Sequence, residues 1–174
     1  MGNGPKIGDK AGSMEFEPGT ALPRPSAGAI LEFEAYNQLQ LPQALKDLWT
    51  TGHGAVPKEN AFYQGARERM IERFLVLLDD PGSSGEIGWY DISVVVTQIG
   101  DRLVEDEDLV GTDVVPFAVL FAGDYVCLSY KDADVGEPSV VVWDHEQSEV
   151  GAPYLETVAK NLDEFLTMLK PAAP

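Results

Sequence analysis

The residues best suited to metal chemistry in this sequence are two histidines, His53 and His145. They lie far apart in the chain, and neither has a second histidine or a cysteine at the spacing of a metal-binding motif. Asp144, His145 and Glu146 could form a small cluster, but adjacent residues at a strand end point in different directions. The pattern is more typical of a solvated strand end than of a metal site. We expect no metal and no other cofactor.

The sequence contains one cysteine that could act as a catalytic nucleophile. Cys127 lies between Val126 and Leu128, where a small buried hydrophobic residue is usual. The sequence lacks the glycine–serine elbow of hydrolases, the phosphate-binding loop and the Gly-x-Gly-x-x-Gly pattern of dinucleotide enzymes. With 29 acidic residues, some carboxylate pair is inevitable, so such a pair says little about acid–base catalysis. The residues themselves therefore point to no particular catalytic chemistry.

The acidic residues are unusual in number and in placement. The 174 residues include 29 acidic and 12 basic side chains, a net charge of −17. Residues 101–150 hold 13 acidic and 2 basic residues, so this stretch alone carries −11. A molecule this acidic repels nucleic-acid phosphates and anionic membrane surfaces, so we expect neither as a partner. Solubility is one explanation of the charge, and attraction of a basic protein partner is the other.

If the charge serves a basic partner, the candidate binding surface lies in this acidic stretch. Its residues are Glu105, Asp106, Glu107, Asp108, Asp132, Asp134 and Glu137. Such a surface would steer the approach of the partner, while affinity would depend on a few buried contacts elsewhere.

Length and composition describe the domain that carries these residues. A chain of 174 residues is typical of one domain, and 44% hydrophobic residues suffice for a core. No apolar run approaches a membrane span and no signal-like apolar segment begins the chain, so we expect a cytoplasmic location. Residues 1–29 contain six glycines and four prolines without an apolar period, which predicts a flexible tail. The domain is then expected at residues 30–170.

Apolar spacing predicts a pair of helices at the start of this domain. Ile30, Phe33 and Tyr36 share one face of the first helix, and a second helix begins at Pro42 and ends at Gly52. Residues 70–78 fit either a helix end or a strand, and we favour a strand in the second half of this segment. Residues 92–103 repeat their apolar positions at helical spacing, although residues 94–97 contain β-branched side chains typical of strands. We expect a helix capped by Asp91.

The second half of the domain predicts strands and a closing helix. Residues 114–121, 125–130 and 139–143 are apolar and β-branched or aromatic, as in neighbouring antiparallel strands. Residues 155–169 have the clearest helical spacing in the chain. Helices, then strands, then a closing helix predict an α+β fold.

The aromatic side chains are expected to serve this core. Seven of them lie on or beside apolar faces of the predicted elements: Trp49, Phe62, Trp89, Phe117, Phe121, Trp143 and Phe165. Core packing explains them better than a ligand-binding box. Tyr90 and Tyr125 could instead be partly exposed contacts for a partner.

Three stretches resemble motifs of the SUKH (Smi/Knr-like) superfamily, in the family's order and across about residues 30–170. Residues 41–49, LPQALKDLW, are similar to its first LP-x-x-h-x-x-h helix, where h is hydrophobic. Residues 115–128, VPFAVLFAGDYVCL, resemble its hPFA…GGD-x-hCL hairpin. Residues 141–146, VVWDHE, and 158–166, VAKNLDEFL, resemble its ending. The chain departs from the pattern at residues 51–54, TGHG, and with Ala-Gly-Asp in the hairpin.

The resemblance implies a fold and a kind of function. The fold is a central antiparallel sheet flanked by an N-terminal helix pair and a C-terminal helix. Bacterial members resemble immunity proteins, the non-enzymatic partners of polymorphic toxins that include nucleases and deaminases. We therefore expect an immunity protein of a toxin–antitoxin pair that binds and neutralises a cognate, basic toxin domain. The alternative is a regulatory or scaffold module for protein binding, as the fungal members resemble. The motifs describe core and turn positions, so they transfer no binding residue.

Overall fold

The computed structural model describes residues 10–132 and 136–174, and its centre is a six-stranded antiparallel sheet. The strands are β1 Ala61–Gln64, β2 Arg67–Phe74, β3 Val114–Leu120, β4 Tyr125–Ser129, β5 Ser139–Trp143 and β6 Leu155–Ala159. The helices are α1 Lys10–Ser13, α2 Ala27–Asn37, α3 Gln43–Gly52, α4 Ile92–Ile99 and α5 Leu162–Met168. The strands follow one another across the sheet in chain order. The predicted α+β fold, with its helix pair, central antiparallel sheet and closing helix, is confirmed.

Both faces of the sheet are buried, which explains the long apolar runs in its central strands. All seven residues of β3 are buried. The larger core lies against one face, where the ring of Phe165 on α5 meets Phe62 and Phe117 edge-on, with centroid distances of 5.0 and 5.8 Å. A smaller cluster on the other face includes Cys127 and Trp143. Burial of Cys127, as predicted, raises the pKa of its thiol and keeps it protonated.

The N-terminal segment contacts the domain instead of extending from it. Residues 1–9 lie outside the described part, but Ala11 is fully buried and Phe16 packs edge-on against Phe74 at 6.4 Å. The backbone N–H groups of Glu17 and Leu22 donate to residues 56 and 53, each at 2.8 Å. The expected flexible tail therefore differs from the structure over residues 10–29. The composition predicted that burial would not offset the entropy cost of ordering this segment. The burial of Ala11, the packing of Phe16 and these hydrogen bonds do offset it.

Residues 155–159 are a strand, so the closing helix is shorter than its apolar spacing predicted. The Asn161 side chain accepts the N–H of Glu164 at 2.8 Å, and the Glu164 carboxylate accepts the N–H of Lys160 at 2.7 Å. This reciprocal cap fixes the helix start after Asn161. The preceding Thr157 and Val158 are β-branched and join β6, which pairs with β5.

The middle of the chain contains one missed strand, one strand displaced from its predicted position and one confirmed helix cap. Residues 67–74 form a strand, whereas we expected the strand in the second half of residues 70–78. This strand pairs with β1, which the sequence did not predict. Asp91 caps α4 by accepting the N–H groups of Ser93 and Val94 at 2.8 and 3.2 Å. Two aromatic residues expected in the core are instead exposed, Trp89 by 67% and Phe121 by 51%. Trp89 lies in a 3₁₀ turn, and Phe121 follows the last residue of β3.

Candidate functional site

A cleft of about 750 Å³ opens between α2, α4 and the loop that precedes β3. Apolar side chains, among them Phe33, Leu77 and Val96, form part of its lining. The charged residues of the lining are all acidic: Glu32, Asp79, Asp91, Asp101 and Glu107. Its size falls in the range of ligand pockets, and its charge favours a cationic occupant.

Two helix caps hold one side of the cleft in place. Ser26 caps α2 by accepting the N–H of Ala29 at 3.0 Å, and its hydroxyl donates to Asp79 at 2.6 Å. The carboxylate of Asp91, which caps α4, also accepts the N–H of Leu78 at 2.8 Å. Burial raises the pKa of Asp91, while its three N–H donors act in the opposite direction. The segment after β2 is therefore fixed to the starts of both helices.

The opposite side of the cleft is fixed at the end of α2. Asn37 accepts the N–H of Thr112 at 3.0 Å and donates to the carbonyl of Phe33 at 2.9 Å. Gly111, with φ +85°, lets the chain pass so close that an added Cβ would lie 2.6 Å from the Asn37 amide oxygen. Only glycine readily combines that backbone angle with that approach. The loop before β3 is thereby held against α2.

A second cavity of about 570 Å³ adjoins the cleft, since Asn37, Leu109 and Thr112 line both. The acidic side chains that line it are Asp106, Asp108 and Asp113. Oδ1 of Asp113 is buried and has no hydrogen-bond partner among the described residues. Burial raises the pKa of Asp113, with a smaller opposing effect from Lys131. We call the cleft and this second cavity together the acidic groove.

The structure places the seven predicted surface residues in different surroundings. Glu107 lines the cleft, and Asp106 and Asp108 line the second cavity. Glu105 pairs with Lys131 at 2.5 Å and lines neither. Asp132 and Glu137 are exposed and line neither cavity, and Asp134 lies outside the described residues.

Four acidic residues of the groove were not among the predicted surface residues. Glu32 and Asp79 join it from distant parts of the chain, whereas Asp101 and Asp113 flank the predicted run at residues 105–108. Tyr36, which the helical spacing assigned to the apolar face, is 65% exposed and also lines the cleft. The available signal was the i, i+4 spacing of Glu32 and Tyr36, which puts them side by side on α2.

A buried polar network lies where the hairpin motif of residues 115–128 meets the VVWDHE motif of residues 141–146. Asp124, at the β3–β4 turn, accepts hydrogen bonds from Arg69 Nη2 and from the His145 ring Nδ1, each at 2.6 Å. Arg69 also donates to Gln64 at 2.7 Å. Arg69 and Asp124 are almost fully buried, and His145 is 39% exposed. The network therefore links both hairpins to the end of β5.

An aspartate behind a histidine is also part of hydrolytic triads, but a third member is missing here. Among the described residues, no hydroxyl or thiol hydrogen-bonds to the His145 ring. His53, the other histidine, is buried between the carbonyl of Pro23 at 2.7 Å and the N–H of Leu77 at 2.9 Å. Its ring thus connects two backbone segments, and burial lowers its pKa.

The described residues contain no group of three or more histidine, cysteine or acidic side chains arranged to hold a metal ion. No helix among them is both long and apolar enough to cross a membrane.

Comparison with known proteins places this geometry in a family context. A family model described as SMI1-KNR4 cell-wall matches residues 27–166. The matched range begins with α2 and ends within α5, so it contains the acidic groove and the network around Asp124. No curated protein matches the chain.

Proposed function

The chain belongs to the SMI1-KNR4 family of the SUKH superfamily, and on that premise we propose that it is an immunity protein. It binds and neutralises a cognate bacterial toxin domain with a basic surface, such as a nuclease or deaminase. It acts in the cytoplasm by occlusion and performs no catalysis of its own.

The observation that carries this proposal is the acidic groove. Its carboxylates come from α2, from the segment after β2 and from the loop before β3. No basic side chain of the described residues lines either cavity. Like charges brought together repel one another unless a cation lies between them, so this arrangement favours a positively charged partner. Many such toxins act on nucleic acids and need a basic substrate surface, which an acidic protein can cover.

Co-expression tests the proposal directly. A toxin domain encoded next to this chain is expressed in bacteria with and without it, and growth is measured. We expect growth only with the chain, and a stable complex of the two purified proteins. As a control, a catalytically inactive toxin domain should form the same complex without affecting growth. Unchanged killing, with no complex, would contradict the proposal.

A scaffold module of the Smi/Knr type is the second candidate, because the description of the matched family names the cell wall. It requires a protein partner but no toxin. Binding to a non-toxic cell-wall protein, together with failure to protect against the neighbouring toxin, would favour this candidate.

A further inference from the structure

We infer that the acidic groove binds an extended, arginine-containing segment of the partner protein, with one arginine side chain in each of its two cavities. The inference deepens the proposed function and rests on it for the identity of the partner. The two cavities, their acidic linings and the exposed apolar side chains where they join point to such a segment.

The larger cavity suits a guanidinium group in particular. Tyr36 is exposed beside Glu32 on α2, so a planar cation entering here finds an aromatic face and a carboxylate together. Asp101 and Glu107 face the same cavity from the other side. Arginine stacks on an aromatic ring and bonds two carboxylate oxygens at once, whereas lysine offers only a point charge.

The smaller cavity contains an acceptor that lacks a donor. Oδ1 of Asp113 is buried without a hydrogen-bond partner among the described residues, which is costly for a carboxylate. Asp106 and Asp108 line the same cavity. The hydroxyl of Tyr130, also in the lining, already donates to the carbonyl of Gln40 at 2.6 Å. A guanidinium group in this cavity would lie among the three carboxylates of its lining and compensate their charge.

The chain's own cations near the groove are already engaged. Lys131 pairs with Glu105 at 2.5 Å. Arg102 donates to the carbonyl of Ser148 at 2.9 Å and lies over the Trp143 ring at 5.3 Å. The groove's charge is therefore left for an external cation.

Exposed apolar side chains indicate that the occupant is a peptide segment and not a free ion. Leu109, which lines both cavities, is 39% exposed, and its neighbour Val110 is 60% exposed. Since the two cavities share Leu109, a chain crossing from one to the other passes over these apolar groups. Apolar residues between the arginines would bury them.

An acetylated hexa-arginine peptide is a suitable probe, with hexa-citrulline as its uncharged isostere. The full chain is titrated at physiological salt by calorimetry and by ¹⁵N NMR. We expect 1:1 binding of hexa-arginine, amide shifts concentrated at residues 105–113 and at the end of α2, and no binding of hexa-citrulline. Shifts concentrated elsewhere would overturn the inference, and this result needs no variant.

Charge-matched variants separate the groove from general attraction. The groove variant carries Glu32→Gln, Asp101→Asn and Glu107→Gln. The control variant carries Glu17→Gln, Glu146→Gln and Glu149→Gln, three exposed acids outside the groove. We expect the groove variant to weaken hexa-arginine binding about tenfold and the control less than about twofold. Equal losses in the two variants would overturn the inference.

The same variants distinguish the two proposals in the toxin assay. If hexa-arginine binds in the groove but the chain never protects against a toxin, the proposed function fails and the groove stands. If the groove variant forms an equally tight complex with the toxin as the parent chain, the groove is not the docking site, while the proposed function stands.

Discussion

Asp124 and His145 are joined twice, because one carboxylate oxygen of Asp124 accepts both the backbone N–H of His145 at 2.9 Å and its ring Nδ1 at 2.6 Å. The other oxygen accepts the buried guanidinium of Arg69. A turn residue and a strand-end residue that lie 21 positions apart are thus fixed to one another. The hairpin motif and the VVWDHE motif are therefore parts of a single structural unit.

Removal of the Asp124 carboxylate should strongly destabilise the fold. Asp124→Ala leaves Arg69 buried without a counter-charge, and breaking such pairs typically costs about 3–5 kcal/mol. Urea unfolding followed by tryptophan fluorescence measures the loss. Glu146→Gln, at an exposed neighbour of His145, is the control and should change stability by less than about 0.5 kcal/mol. A loss for Asp124→Ala as small as the control's would mean that the network is dispensable.

Gly111→Ala should destabilise the protein and disturb the groove. The new Cβ would lie 2.9 Å from the Asn37 Cα, and φ +85° is unfavourable for alanine. We expect a loss of about 1–3 kcal/mol in unfolding free energy. Gly100→Ala, where φ is −55° and a Cβ has open space, should be neutral or slightly stabilising. Equal effects at the two glycines would contradict the close approach of the loop to α2.

Asp113 should make stability depend on pH in a defined direction. Burial raises its pKa in the folded chain above the usual 3.8, so the folded state holds the proton more tightly than the unfolded state. Its favourable contribution is complete below that usual value and is lost as pH rises through the folded-state pKa. Asp113→Asn cannot ionise and should gain stability relative to the parent as pH rises from about 4.

Urea unfolding at a series of pH values measures this difference between parent and variant. Asp108→Asn, at an exposed side chain, controls for the change in net charge. If the unfolding free energy of Asp113→Asn differs from that of the parent by the same amount at every pH, the Asp113 carboxyl group is not desolvated in the folded protein.

Charges outside the groove should act on the rate of association. Reversing Glu105, Asp132 and Glu137 to lysine leaves both cavities intact but weakens the long-range field. Association with the cognate toxin at low salt should slow by about tenfold or more, and dissociation should change little. Stopped-flow mixing at two salt concentrations measures both rates. If neither charge reversal nor salt changes the association rate, these acidic residues serve solubility and do not steer the partner.

Chelation should leave thermal stability unchanged. A metal that ties ligands together contributes its binding energy to folding, so its removal lowers the melting temperature. We expect identical melting curves with and without an excess of EDTA, since the fold is held by its apolar core and buried hydrogen bonds. A marked decrease on chelation would mean that a ligand set has been overlooked.

Local patterns sufficed for the central strands, for the cap at Asp91 and for the helix pair, because apolar spacing and capping residues act within a few positions. The helix predicted at residues 155–159 was wrong, since the same apolar residues fit both helical spacing and a strand. The pairing with β5, which is a long-range interaction, decides between them. Tyr36 was wrongly predicted to face the core for a related reason. Helical spacing shows which residues share a face of the helix, but not whether another element covers that face.

The binding surface was predictable only in part. Its acidic character follows from composition, and Asp106, Glu107 and Asp108 were among the candidates that line the groove. Glu32 and Asp79 meet those residues only after the chain folds, and nothing in their own neighbourhoods distinguishes them from other acids. The network at Asp124 is similar, because its members come from three strands or strand ends.

Phe16 lies eleven residues before the range that the family model matches, yet its ring covers Gly52 at the end of α3 and touches Phe74 in β2. A chain shortened to residue 27 would leave that part of the core open to water. Loss of the residues before 27 would therefore lower the free energy of unfolding, although all of them lie outside the matched range. The Phe16 ring also fills the space that a side chain at position 52 would need, so a larger residue there would displace the ring.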